Sequence, residues 1–110
     1  MPDNASYVAL GDSYVSGPGI DDMDSASPGC LRSDHNYPSI VAEVIHAAKF
    51  VDFSCGGETT DTVRNGRTMP DGAVLKPQLD AVKSDSRIVT VGIGGNDAGL
   101  VTGFFQYCLI

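Results

Sequence analysis

Short apolar runs alternate along this chain with polar stretches rich in glycine and proline. Ser6–Gly11, SYVALG, is a run of β-forming residues closed by Gly11 and reads as a buried strand. Residues 50–55, FVDFSC, predict a second strand, ended by Gly56 and Gly57, and residues 87–93, RIVTVGI, predict a third, the most hydrophobic. Between the first two, NYPSIVAEVIHAAKF predicts a helix. Pro38 suits a first helical turn, where its missing N–H costs nothing. Ile40, Val41, Val44, Ile45 and Ala48 recur at helical spacing and make one apolar face. A shorter helix is predicted near residues 77–83, with Leu75, Leu79 and Val82 as its apolar contacts. Residues 12–36, dense in Gly, Pro, Ser and Asp, read as a long loop, which in a compact domain is functional or pinned by cross-links. A second polar loop contains RNGRTMPDG.

Strand–helix–strand–helix–strand is the pattern of a parallel sheet with helices packed on its faces, an α/β fold with right-handed crossovers. In such sheets ligands bind outside the carboxyl ends of the strands. The turns GDS, CGGE and GGND sit at those ends and are expected to converge on one rim.

Composition narrows the picture. With 110 residues and 42% hydrophobic content the chain has the size of one domain, residues 1–110, and can bury a core. The formal net charge of −7 argues against nucleic acid and anionic membrane surfaces as partners. No apolar segment is long enough to span a membrane, and the opening MPDNAS lacks a signal-peptide pattern, which leaves a cytosolic protein or a mature exported domain. The three cysteines leave one unpaired in any intrachain scheme. His35 and His46 show no metal-ligand spacing.

The chemistry lies in the turns. Acyl transfer needs a hydroxyl nucleophile, donors aimed at a developing oxyanion, and a base. Ser13 offers a hydroxyl just beyond a strand-ending glycine, Gly57 a backbone N–H with no side chain in the way, and Asn96 a side-chain amide. Asp12 is expected to bond loop backbone, Asp97 to cap the helix after GGN, and Ser16 to be a turn residue. His46 is expected on the solvated face of the first helix, near Glu43. His35, beside Asp34 in the long loop, is a remote candidate base.

ALGDSYVSG, SCGGETT and VGIGGNDAG, in this order and spacing, resemble the SGNH (GDSL-type) hydrolases, a family of serine esterases and lipases. The resemblance implies a three-layer α/β/α, flavodoxin-like parallel sheet whose strand order begins 2-1-3. It implies hydrolysis of lipid or small acyl esters through a serine acyl-enzyme, with no cofactor and no metal. Ser13 matches the nucleophile, and its own N–H joins Gly57 and Asn96 in the oxyanion hole. Tyr14 stands where the family has leucine, outside the chemistry. Gly57 is preferred over Gly56 as donor because CGGETT is similar to the actinobacterial-type C-S-G-A-T-T.

Cys30 and Cys55 fit a disulfide at the same rim. Secreted members of the family carry such a bridge, which points to an exported protein; two free thiols in a cytosolic enzyme are the alternative. The family's D-x-x-H block, which brings the base, does not occur in these residues. With the apolar ending LVTGFFQYCLI, an unpaired Cys108 and a bare sheet edge, its absence leads to the expectation of the N-terminal portion of a longer hydrolase, with little activity by itself. A non-catalytic binding module, or an inactive fragment of the same fold, is the alternative from another class. A flavodoxin-like phosphate or FMN binder is disfavoured by the acidic balance and the absence of basic residues from GDSYVSGPG.

Overall fold

β1 (Ser6–Gly11) is the strand around which the other elements are arranged. The structure is a computed structural model and describes residues 5–23 and 28–108. β1 lies between β2 (Lys49–Asp52) and β5 (Ile88–Gly92), and both pair with it in parallel. The sheet order is therefore that of the second, first and third predicted strands, as expected. The register sets Tyr7 beside Phe50 and Ile88, and Gly11 beside Gly92.

Because side chains alternate along a strand, β1 covers two faces. On one face Tyr7 stacks on Phe50 with ring centroids 5.4 Å apart, and its hydroxyl lies 2.8 Å from Thr90 Oγ1. On the other, Val8 and Leu10 form the core with Ala81, and Val51 packs against it. β1 is thereby closed off on both sides.

The predicted helices are shorter than their apolar patterns suggest. α2 (Tyr37–Val44) starts at the N-cap Asn36, whose Oδ1 accepts from the Ser39 N–H, and carries Pro38 in its first turn. It stops well before residue 50. The Ala47 N–H bonds the Ala42 carbonyl and the His46 N–H the Glu43 carbonyl, with His46 in the left-handed region at φ 50°. This reverse-turn cap ends the helix. His46 therefore lies past the helix end rather than on its polar face. The expected apolar face is largely open, with Val44 73% exposed. The helix expected near residues 77–83 is a single 3₁₀ turn, Gln78–Ala81, which buries Gln78 and Ala81 while Leu79 and Val82 are exposed.

Four short elements occupy stretches in which no helix or strand is predicted. α1 (Ser13–Ser16) lies just beyond β1, α3 (Thr60–Asn65) follows the second turn, and β3 (Arg67–Thr68) pairs antiparallel with β4 (Val74–Leu75) across MPDGA. α3 has a capping box in which Thr59 and Thr62 exchange side-chain and backbone hydrogen bonds. α4 (Leu100–Cys108) follows the third turn. The side chain of Cys108 lies outside the described residues.

Cys30 and Cys55 form the expected disulfide, closing a loop of 25 residues in sequence separation. The Gly56 N–H donates to the Cys30 carbonyl at 2.9 Å, so the long loop is fastened to the second turn by backbone as well. On a chain-entropy account the bridge stabilises the fold by about 3–4 kcal/mol. Reduction with dithiothreitol is expected to lower the urea midpoint accordingly, read by circular dichroism. An unchanged midpoint after confirmed reduction would show that the bridge does not constrain the unfolded chain.

Candidate active site

Hydrogen bonds between the turns show that the three strand ends meet. The Cys55 N–H donates to the Gly11 carbonyl at 3.0 Å and the Asp12 N–H to the Gly92 carbonyl at 3.1 Å. Asn96 Nδ2 donates to the Glu58 carbonyl at 2.9 Å. First turn to second, first to third, and second to third are each joined directly.

Gly11 makes the first approach possible. Its φ of 153° suits glycine, and a Cβ there would come within 2.4 Å of Val15 Cγ2 and 2.5 Å of the Gly92 carbonyl oxygen. The chain then turns at Asp12, the buried N-cap of α1. Asp12 Oδ1 accepts the Tyr14 N–H at 2.9 Å, and its carbonyl accepts the Val15 and Ser16 N–H groups. The loop-backbone role expected for Asp12 is what the structure shows. Ser13 is left as the first residue of a helical turn, where the N–H has no acceptor within the helix. Neither its N–H nor its Oγ has a hydrogen-bond partner among the described residues. Ser16 is buried in the last part of α1 rather than in an open turn.

Gly57 sits at φ 84° with the Arg67 guanidinium against it, 3.1 Å from where a Cβ would stand. Its N–H, like that of Ser13, meets no acceptor among the described residues. Asn96 uses one amide hydrogen on Glu58, which fixes the plane of the amide and leaves the second hydrogen available. The rim thus collects one hydroxyl, two uncommitted backbone donors and one oriented side-chain donor.

Asp97 departs from expectation. It accepts from the Thr60 N–H at 2.8 Å and from Thr60 Oγ1, so it caps α3 across space instead of the helix that follows it. Those two hydrogen bonds from Thr60 hold its carboxyl below the ordinary value. A carboxylate with a lowered folded-state pKa contributes stability above its unfolded pKa and loses it as pH falls through the folded value. Asp97→Asn is therefore expected to lower thermal stability at neutral pH and to flatten part of the acid limb below about pH 4, so that the two proteins converge at low pH. Parallel melting curves of the two proteins from pH 7 to pH 2.5 would contradict this assignment.

Neither histidine reaches the serine. His35 Nδ1 lies 3.2 Å from Asp22 Oδ2, with both side chains more than 60% exposed, and His46 is exposed beyond α2. Among the described residues no three His, Cys, Asp or Glu side chains gather as a metal site would require. A cavity of about 620 Å³ runs along β2 past Val51 and Leu79, and another of about 310 Å³ lies between the disulfide and β4. Neither is lined by Ser13, Gly57 or Asn96.

Three residues that hold the rim together have no counterpart among the sequence candidates. Glu58 is fully buried, with Oε2 3.0 Å from Arg67 Nε and accepting from Thr62 Oγ1 at 2.5 Å. Gln78, also buried, donates to Glu58 Oε1 at 2.9 Å and bonds Gly11. Arg67 Nη2 donates to the Gly56 carbonyl at 2.6 Å. A Ser/Thr spaced three residues from another, as Thr59 and Thr62 are, signals the helix start beside them, but no periodicity marks a buried Glu or Gln in a polar stretch.

Comparison with known proteins gives a consistent result. The profile of the GDSL-like lipase/acylhydrolase family matches residues 9–107. Lipase 2 of Streptomyces coelicolor is 45% identical over 92 residues, covering 83% of this chain and 29% of that protein. A lipase of Streptomyces rimosus is 42% identical over 93 residues, covering 84% and 31%. The chain thus spans about 30% of the length of these curated relatives. Among solved structures, phospholipase A1 from Streptomyces albidoflavus superposes with a TM-score of 0.76 at 34% identity, over 97% of this chain and 40% of that one. The extracellular lipase of Streptomyces rimosus does so with a TM-score of 0.74 at 38% identity, over 91% and 38%.

Proposed function

The chain belongs to the GDSL-like lipase/acylhydrolase family, and from that premise we propose that its rim is the nucleophile and oxyanion side of a carboxylic-ester hydrolase site. The observation that supports this reading is that the turns carrying Ser13, Gly57 and Asn96 are hydrogen-bonded to one another while the N–H groups of Ser13 and Gly57 have no acceptor among the described residues. Ser13 Oγ attacks the ester carbonyl carbon, the C–O π bond opens to an oxyanion, and the serine proton passes to a base. Collapse of the tetrahedral species expels the alcohol and leaves Ser13 acylated. Water then releases the acid by the same steps.

The residues of this chain supply position and charge stabilisation. The N–H groups of Ser13 and Gly57 and the free amide hydrogen of Asn96 face the developing negative charge without having to leave another protein partner. Donors fixed before reaction need no reorganisation as charge develops, which is why such holes are effective. The base is read as a histidine of a D-x-x-H block outside this sequence, since His35 and His46 are both engaged elsewhere or remote.

The substrate class is a lipid or small acyl ester, in keeping with the lipases and phospholipase among the similar proteins. Export is proposed on the Cys30–Cys55 disulfide, which persists in oxidising compartments. The reading is tested with p-nitrophenyl esters of graded chain length on the complete gene product. Turnover that is lost after treatment with a serine-directed phosphonate supports it, and a protein that binds these esters without hydrolysing them would be a binding module instead.

A further inference from the structure

The polar side chains that join the turns form a continuous unit. Gln78 lies in the crossover to β5, in none of the three turns, and is 2% exposed. Its amide grips both backbone groups of Gly11: Oε1 accepts from the Gly11 N–H at 2.8 Å, and Nε2 donates to the Gly11 carbonyl at 3.0 Å. The same Nε2 donates its other hydrogen to Glu58 Oε1 at 2.9 Å. Glu58 then holds Asn96 on its backbone carbonyl, while Thr62 and Arg67 satisfy its second oxygen.

Each donor of the proposed hole stands on a different turn. Gly11 is two residues before Ser13, Glu58 is adjacent to Gly57, and Asn96 is bound to Glu58 directly. Hydrogen-bond donors stabilise an oxyanion only at about 2.7–3.1 Å from it, so the distances between the turns have to be set. Backbone bonds set the strand ends, but the plane of the Asn96 amide depends on where the Glu58 carbonyl points. The Gln78 amide and both Glu58 carboxylate oxygens have partners, and buried polar groups bonded in this way are held rigidly. We infer that Gln78 and Glu58 are positioning residues that fix the spacing of the three oxyanion donors, and that Gln78 governs the chemical step without touching substrate. The inference rests on the oxyanion reading given above.

The test uses variants of the complete gene product, with kcat and KM measured per site titrated by a phosphonate. Affinity for an alkyl boronate, which places a negative tetrahedral oxygen in the hole, is measured in parallel. Gln78→Met keeps the shape and removes all three hydrogen bonds. It is expected to lower kcat by about 10- to 100-fold, the scale of a misplacement near 1 Å, with KM little changed and boronate affinity reduced in step. Gln78→Glu sets a carboxylate against both Glu58 and the Gly11 carbonyl. Adding Glu58→Gln restores the donor–acceptor pair between the two side chains in reverse order while the bond to the Gly11 carbonyl stays lost, so the double variant is expected to recover part of the lost kcat.

Titrated Gln78→Met sites that turn over within about threefold of wild type would overturn the inference, as would a fall in kcat with boronate affinity intact. Should Gln78→Met not fold, a folded double variant no faster than Gln78→Glu overturns it alone. Ser13→Ala is the control. If it stays active, the serine reading itself fails; if it is inactive while Gln78→Met is unimpaired, only the positioning role is lost.

Discussion

Replacing Ser13 with alanine in the complete gene product is expected to reduce ester turnover by about 10⁴- to 10⁶-fold, the range seen when a serine nucleophile is removed. The effect is that large because the nearby aliphatic hydroxyls are buried or committed to other partners. Ser16 is fully buried, Thr62 bonds Glu58, and Thr60 is bound to Asp97. The substitution leaves the fold intact: Ser13 is the first residue of α1, its side chain makes no hydrogen bond among the described residues, and the cap belongs to Asp12. Thermal stability is expected to move by less than about 0.5 kcal/mol. Mass spectrometry after phosphonate labelling gives the second check, with the adduct on the peptide carrying GDSYVSG. An adduct on another residue, or an alanine variant that still turns over, would remove Ser13 from the chemistry.

Asn96→Ala is expected to lower kcat by about 10²- to 10³-fold, or roughly 2.7–4 kcal/mol of transition-state stabilisation. KM should change little, since a donor aimed at the oxyanion is engaged in the transition state rather than the ground state. The same change strips the Glu58 carbonyl of its partner, so a modest loss of stability accompanies it. Asn96→Asp separates the two contributions. It keeps the size but supplies no amide hydrogen, and its carboxylate would face the Glu58 carbonyl oxygen. It should be at least as slow as the alanine variant and less stable. A kcat within a few-fold of wild type in either would show that the hole is made without Asn96.

The parallel sheet and the meeting of GDS, CGGE and GGND at one rim were legible in the sequence because both follow from local pattern. Three apolar runs ending in glycine dictate strands, of which only β1 is buried, and parallel connection puts their ends together. Helix lengths were less legible. The apolar positions of α2 continue past Val44, but His46 takes a left-handed conformation and the cap it forms overrides the periodicity. α3 is polar nearly throughout and is held by its capping box and by Asp97, a residue far along the chain. Nothing in the local sequence around Glu58, Arg67 and Gln78 singles these residues out. The burial of Glu58 and Gln78 depends on their partners: a carboxylate beside a half-buried guanidinium and an amide is tolerated inside, and would not be alone. Such mutual dependence leaves no trace in a period of 2 or 3.6 residues.

The clamp on Gly11 has a consequence for how the molecule is made. Gln78 and Gly11 are 67 residues apart in sequence, and Asn96 and Glu58 are 38 apart. Contacts between such distant residues form only after long loops have closed, which slows their assembly relative to helical turns. On a ribosome, the hydroxyl of Ser13 emerges early and waits, its surroundings undefined, until the third strand has been synthesised and docked beside β1. Refolding should therefore show two clocks, with α2 helicity recovered early and protection of the Gly11 and Cys55 amides from hydrogen exchange recovered late, together with reactivity at Ser13.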